Sequence, residues 1–145
     1  MNEPQMHTNI HEWPTGGPST LTQIIIGCAI KVHNALGPGF LEKVYENALA
    51  HEVRKAGLFV EQQKPIPVFY DGKNVGNFVA DLLVEHKVIL ELKTARAIGE
   101  DFSAICLNYL KAASTPVCLL INFAKPRLEW RRFVGEAYAN EPHPL

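Results

Sequence analysis

The chain has 145 residues, 47% of them hydrophobic and 20% charged, which is the length and balance of one globular domain with a sizeable core. Its formal net charge of −1 excludes a protein that attracts nucleic acid by bulk positive charge, though not one that gathers a few cations at a cleft. No apolar run reaches membrane-spanning length, because Lys31 and His33 interrupt the longest, so no membrane partner is expected.

Residues 1–19 are polar, rich in Pro and Gly and aperiodic, and they read as a flexible N-terminal tail without the basic-then-apolar order of a signal peptide. Within this tail His7 and His11 would approach each other only in a helix, which the surrounding Pro and Gly disfavour. A single domain is expected over residues 20–135, followed by a C-terminal tail at 136–145. Thr20-Leu21-Thr22-Gln23 fits a capping box, and Leu21, Ile24, Ile25, Cys28, Ala29, Val32 and Leu36 follow at helical spacing. Gly37-Pro38-Gly39 stops this helix. A second helix carries Leu41, Val44, Tyr45, Ala48, Leu49 and Val53 on one face and ends at Gly57.

Strands come next. Phe59 to Gln63 and Ile66 to Tyr70 read as two short strands, placed at an edge by Pro65 and Pro67. Asp71-Gly72 is a hairpin turn signal, and Val75 to Val84 and Val88 to Lys93 are the strongest strands, separated by Glu85-His86-Lys87. A third helix is expected over Gly99 to Ala113, with Phe102, Ile105, Cys106, Tyr109, Leu110 and Ala113 inward. Val117 to Asn122 has the continuous apolar run of a buried strand, and Leu128 to Val134 forms the last one. Cys28, Cys106 and Cys118 all fall in hydrophobic stretches with no pairing pattern, which suggests reduced core thiols and a cytoplasmic setting.

Strand alternation isolates one group of polar residues. Ile89, Glu91 and Lys93 share a face of their strand, and Val79, Asp81 and Leu83 share a face of the preceding one. A hairpin pairing Val84 with Val88 sets Asp81 opposite Glu91, with Cβ atoms about 5 Å apart. Two carboxylates this close among Leu, Ile and Val require either a shared proton or a cation. Mg²⁺ or Mn²⁺, which accept one or two carboxylates plus water, suit such a pair, and Lys93 would then stand beside the attacking water. The plainer alternative is a solvated Glu91–Lys93 ion pair with Asp81 at an exposed position.

The stretch Val32 to Glu46, with Gly39, Glu42 and Tyr45 at its marked positions, resembles the signature of the GxxExxY protein family. Lys64-Pro65-Ile66-Pro67-Val68, Asp81 to Val84, Val88 to Lys93, Leu107 to Leu110 and Leu120 to Phe123 resemble the rest of that family in order and spacing, over about residues 21 to 134. That family is similar to the PD-(D/E)XK nuclease superfamily. The resemblance implies an α/β fold with a central mixed sheet flanked by helices, in which Asp81, Glu91 and Glu42 bind metal and Lys93 assists the attacking water, Glu46 being second choice for the helical acid. It implies a hydrolase acting on phosphodiesters of nucleic acid, DNA or RNA. One position departs from the pattern: four residues before Tyr109, where the family often carries Gln, this chain has Ile105.

Tyr45 and His33 are read as packing residues, and Glu42 as either a site residue or a first-turn acid favoured by the helix dipole. Arg96, Lys111, Lys125, Arg127, Arg131 and Arg132 are the candidate cations for a substrate surface, most of them expected to be ordinary solvated charges. With so little basic surface, a homodimer is one way to build a substrate groove. Two alternatives to the nuclease are a non-catalytic module of the same fold that binds a protein or nucleic acid, and a hydrolase of nucleotides or small phosphate esters.

Overall fold

The computed structural model describes residues 17–113 and 115–135, so the C-terminal tail and residues 1–16, with His7 and His11, lie outside the described residues. Helix α1 spans Gly17–Leu36 and begins three residues before the expected capping box. Pro18 sits in its first turn, where a missing N–H costs nothing, and Thr20 therefore becomes an interior residue. Helix α2 spans Glu42–Lys55, followed by strands β1 (Val60–Tyr70), β2 (Lys73–Val84) and β3 (Val88–Lys93), helix α3 (Glu100–Ala113), and strands β4 (Val117–Asn122) and β5 (Glu129–Val134). Among the described residues no helix is long and apolar enough to cross a membrane.

The five strands form one open mixed sheet in the order β1-β2-β3-β4-β5. Only β3 and β4 run parallel, joined through α3; the other neighbours are antiparallel. What the sequence suggests as two short strands is one edge strand of eleven residues, β1, with both prolines inside it. An edge strand tolerates them because one side of its backbone needs no partner. Asp71 and Gly72 turn the β1–β2 hairpin with φ of 53° and 75°, the left-handed pair a two-residue loop demands.

The sheet is buried on both faces. Leu21, Ile25, Ala29 and Val32 of α1 and Tyr45, Leu49 and Val53 of α2 pack on Leu82, Val84, Leu90, Leu92, Leu119 and Ile121. On the other face Cys106 and Leu110 of α3 cover Ile89, Cys118 and Leu120. The three cysteines are free thiols, Cys106 and Cys118 within this second core. Ile105 is not inward as expected but 36% exposed, because one helix can bury only one stripe and Cys106 and Leu110 occupy it.

Alternation fails at one place. Leu82 and Val84 face α1 and α2, yet Ala80, of the same parity, lies in the α3 core; in β1, Val60 and Ile66 are divided the same way. The hairpin therefore changes faces at Gln63 and Asp81. These two residues oppose each other by register but drop out of the ladder between Gln62↔Leu82 and Lys64↔Ala80. Gln63 has a φ of 51°, a left-handed backbone in the middle of a strand.

A candidate metal centre at a fork in the sheet

Val84 pairs with Val88, and the ladder continues through Leu83↔Ile89 and Leu82↔Leu90. One step further the register sets Asp81 against Glu91, as the alternation argument requires. Here β2 and β3 part, while β3 continues along β4 to Lys93↔Asn122. Side chains replace the missing rungs. The Leu92 amide donates to Asp81 Oδ2 at 2.8 Å, and the Asp81 amide approaches Glu91 Oε1 at 3.4 Å. The two carboxylates thus occupy the crotch of a forked sheet, Glu91 buried and Asp81 half-buried.

Helix α2 brings two more acids. Its entry is fixed by Tyr45, whose hydroxyl donates to the Gly37 carbonyl at 2.5 Å and accepts from the Phe40 amide at 3.1 Å. Its ring stacks on Phe123 at 4.6 Å. Gly37 and Gly39 take φ of 69° and 114°, values an L side chain resists. The Gly39, Glu42, Tyr45 spacing is therefore first a device for holding a tight loop. His33 is also structural, donating from Nε2 to the Lys125 carbonyl at 2.7 Å. Glu42 stands exposed at the first position of α2, while Glu46 is only 4% exposed.

Gln63 connects Glu46 to the fork. Its Nε2 donates to Glu46 Oε1 at 2.6 Å and lies 3.4 Å from Asp81 Oδ1. Gln62 Nε2 and Lys43 Nζ hold the other Glu46 oxygen at 2.7 and 2.9 Å. The left-handed Gln63 backbone is thus spent on setting one amide between two acids, a use of strain common beside functional groups. Neither glutamine stands out in the sequence; the only hint is two adjacent amides before Lys64-Pro65 where a strand would favour branched residues.

Lys93 sits beyond Glu91 on the α3 side, its Nζ 5.0 Å from the centre of the Phe102 ring. The buried Asn122, paired with Lys93 in the sheet, ties down the chain that follows. Its Oδ1 accepts from the Ala95 and Ala124 amides at 3.1 Å each, and its Nδ2 donates to the Ala95 carbonyl at 2.8 Å.

The electrostatics of the fork are those of partly desolvated acids. Glu91 is pushed up to about 8, first by burial and then by the Asp81 charge, with Glu42 adding a smaller push and Lys93 opposing. Asp81 is also raised, by burial first and by Glu46, while the Leu92 amide, Gln63 and Lys93 pull it down. Asp81 and Glu91 are in contact; Glu42 acts on Glu91, and Glu46 on Asp81, through space. Among the described residues no three His, Cys, Asp or Glu side chains converge closely enough to form a ready-made metal cage. Two carboxylates at the fork, both resisting ionisation, are nevertheless the hard-oxygen donor set that Mg²⁺ or Mn²⁺ uses, since these ions complete their coordination with water and substrate.

The candidate surface cations do not gather there as one patch. Arg96, Lys111, Arg127 and Arg131 are exposed and scattered over the loop after β3, α3, the β4–β5 loop and β5, while Lys125 lies 3.8 Å from Glu129.

No curated protein and no solved structure matches the chain. Residues 19–133 match the family described as the PD-(D/E)XK nuclease superfamily. That span runs from the first turn of α1 into β5 and takes in the forked sheet bearing Asp81, Glu91 and Lys93, so the chain belongs to the PD-(D/E)XK nuclease superfamily.

Proposed function

We propose that the protein is a metal-dependent nuclease that hydrolyses phosphodiester bonds of nucleic acid. The observation that supports this most is the pair Asp81 and Glu91, held together at the fork with Lys93 next on the same face and both carboxylates resisting ionisation because burial desolvates them. Mg²⁺ or Mn²⁺ bound there would supply a Lewis acid for the phosphodiester and for the attacking water. Asp81 and Glu91 would hold the ion. Glu42, exposed and acting on Glu91 through space, would complete the acidic set. Glu46 already has amide and ammonium partners at both oxygens, so its part is to hold Gln63, and through it Asp81, in position. The Lys93 ammonium would stabilise negative charge developing on the phosphoryl oxygens.

Calorimetry with Mn²⁺ and Mg²⁺ tests the centre. The intact protein is expected to bind, and Asp81→Ala to bind at least ten-fold more weakly, since one of two anchoring carboxylates is lost. Absence of binding by the intact protein, with or without added oligonucleotide, would sink the hydrolase. It would promote the second reading, a non-catalytic module of this fold that binds a protein or nucleic acid, which Ile105 in place of the family's Gln favours.

A further inference from the structure

Beyond the fork, on the α3 side of the sheet, lies a cavity of about 540 Å³ lined by Val68, Phe69, Phe78, Asn108, Tyr109 and Lys111. Its size falls in the range of small-molecule sites. Phe78 and Tyr109 stack on each other at 3.8 Å with an interplanar angle of 3°, a rigid aromatic pair at the side of the cavity. The β1–β2 register shifts between Val68 and Phe69, and such a bulge re-aims the side chain beside it. Phe69 lines the cavity and is still 63% exposed, an aromatic face left open on a hairpin tip. Asn108 offers an amide donor and acceptor, and Lys111 a cation, beside these rings.

We propose that this cavity receives an unstacked base of single-stranded nucleic acid, with Phe69 against its face, Asn108 at its polar edge and Lys111 near its phosphate. The inference rests on the nuclease reading for its ligand class. Two features of the molecule select a single strand. The open ring of Phe69 gains energy from any base face, whereas a duplex keeps those faces covered and would have to be opened first. A net charge of −1 provides little general attraction for the dense phosphates of a duplex, so stacking must carry the affinity.

The test is fluorescence anisotropy with labelled dU12, U12 and a 12-base-pair duplex in EDTA, so that binding is measured without cleavage. At least one single strand is expected to bind ten-fold or more tightly than the duplex, the better of the two identifying the sugar. Phe69→Ala is expected to weaken that binding by about ten-fold or more while leaving duplex binding unchanged. Phe69 is on the surface, so the variant should fold, and circular dichroism checks it. Equal affinity for duplex and single strands, no binding of any of the three, or unchanged binding by Phe69→Ala would each overturn the proposal. Phe69-dependent binding in a protein that takes up no Mn²⁺ would leave the pocket standing and remove only the hydrolase.

Discussion

Glu91→Gln is expected to make the metal-free protein more stable at pH 8 while abolishing its uptake of Mn²⁺. In the folded chain Glu91 keeps its proton up to about 8, against an ordinary 4.5. Between those two values the native state binds one proton more than the unfolded state, so stability is full below the lower value and falls as pH rises towards the upper one. The slope is about 1.4 kcal/mol per pH unit while the difference is complete. Gln is isosteric and uncharged and carries no such penalty. Thermal unfolding in EDTA should give near-equal Tm values at pH 5 and a variant higher by about 5–10 °C at pH 8. Mn²⁺ should reverse the order at pH 8, since only the native protein gains a ligand. A wild-type Tm that stays flat between pH 5 and 8, or a variant less stable at pH 8, would show that Glu91 is not held in its protonated form.

Lys93→Met should separate binding from chemistry. Met keeps most of the aliphatic stem and removes the ammonium that lies over the Phe102 ring. A charge aimed at the phosphoryl oxygens of the transition state is worth about 10²- to 10³-fold in rate, and a loss of that order is expected for cleavage. Mn²⁺ affinity should hold or rise at alkaline pH, because the variant loses a cation that repels the incoming ion. Both are read from one preparation, by single-turnover cleavage of a labelled oligonucleotide and by calorimetry. Cleavage at the wild-type rate would remove Lys93 from the mechanism. Loss of Mn²⁺ binding along with the rate would make its role structural.

Much of the site could be seen in the sequence because strands obey a period of two. A three-residue loop between two strongly branched segments left one natural register, and that register put Asp81 opposite Glu91. The helices followed from their apolar stripes and their Gly stops. What stayed hidden depends on contacts between distant elements. A stripe of apolar residues does not show that Glu46 is buried with them, because its partners, Gln62 and Gln63, come from a strand sixteen and seventeen residues later. Nothing local predicts that Gln63 abandons extended backbone, since the gain lies in what its amide then reaches. Alternation also gave no warning that the hairpin would change faces at Asp81, for that reversal appears only when two separate cores exist to receive the two halves. Ile105 lies outside the buried stripe for a related reason: apolar spacing along a helix does not show where the stripe's edge falls.

The opening of the sheet has a spectroscopic consequence. At most rungs an amide proton reports on a carbonyl whose charge never changes. At the fork the Leu92 and Asp81 amides face carboxylate oxygens instead. A hydrogen bond to an ionised acceptor is shorter and stronger than one to a neutral acceptor, so the resonance of such an amide follows the state of the acid it touches. In a ¹H–¹⁵N spectrum of the protein the Asp81 amide should move as pH passes through about 8, where Glu91 ionises, and the Leu92 amide over the separate range in which Asp81 ionises. They should shift again when a cation arrives, while the amides of Leu83 and Leu90, one step inside the intact ladder, barely respond. The backbone at the fork thus carries its own pair of indicators for the charge state of the site, visible without substrate or label.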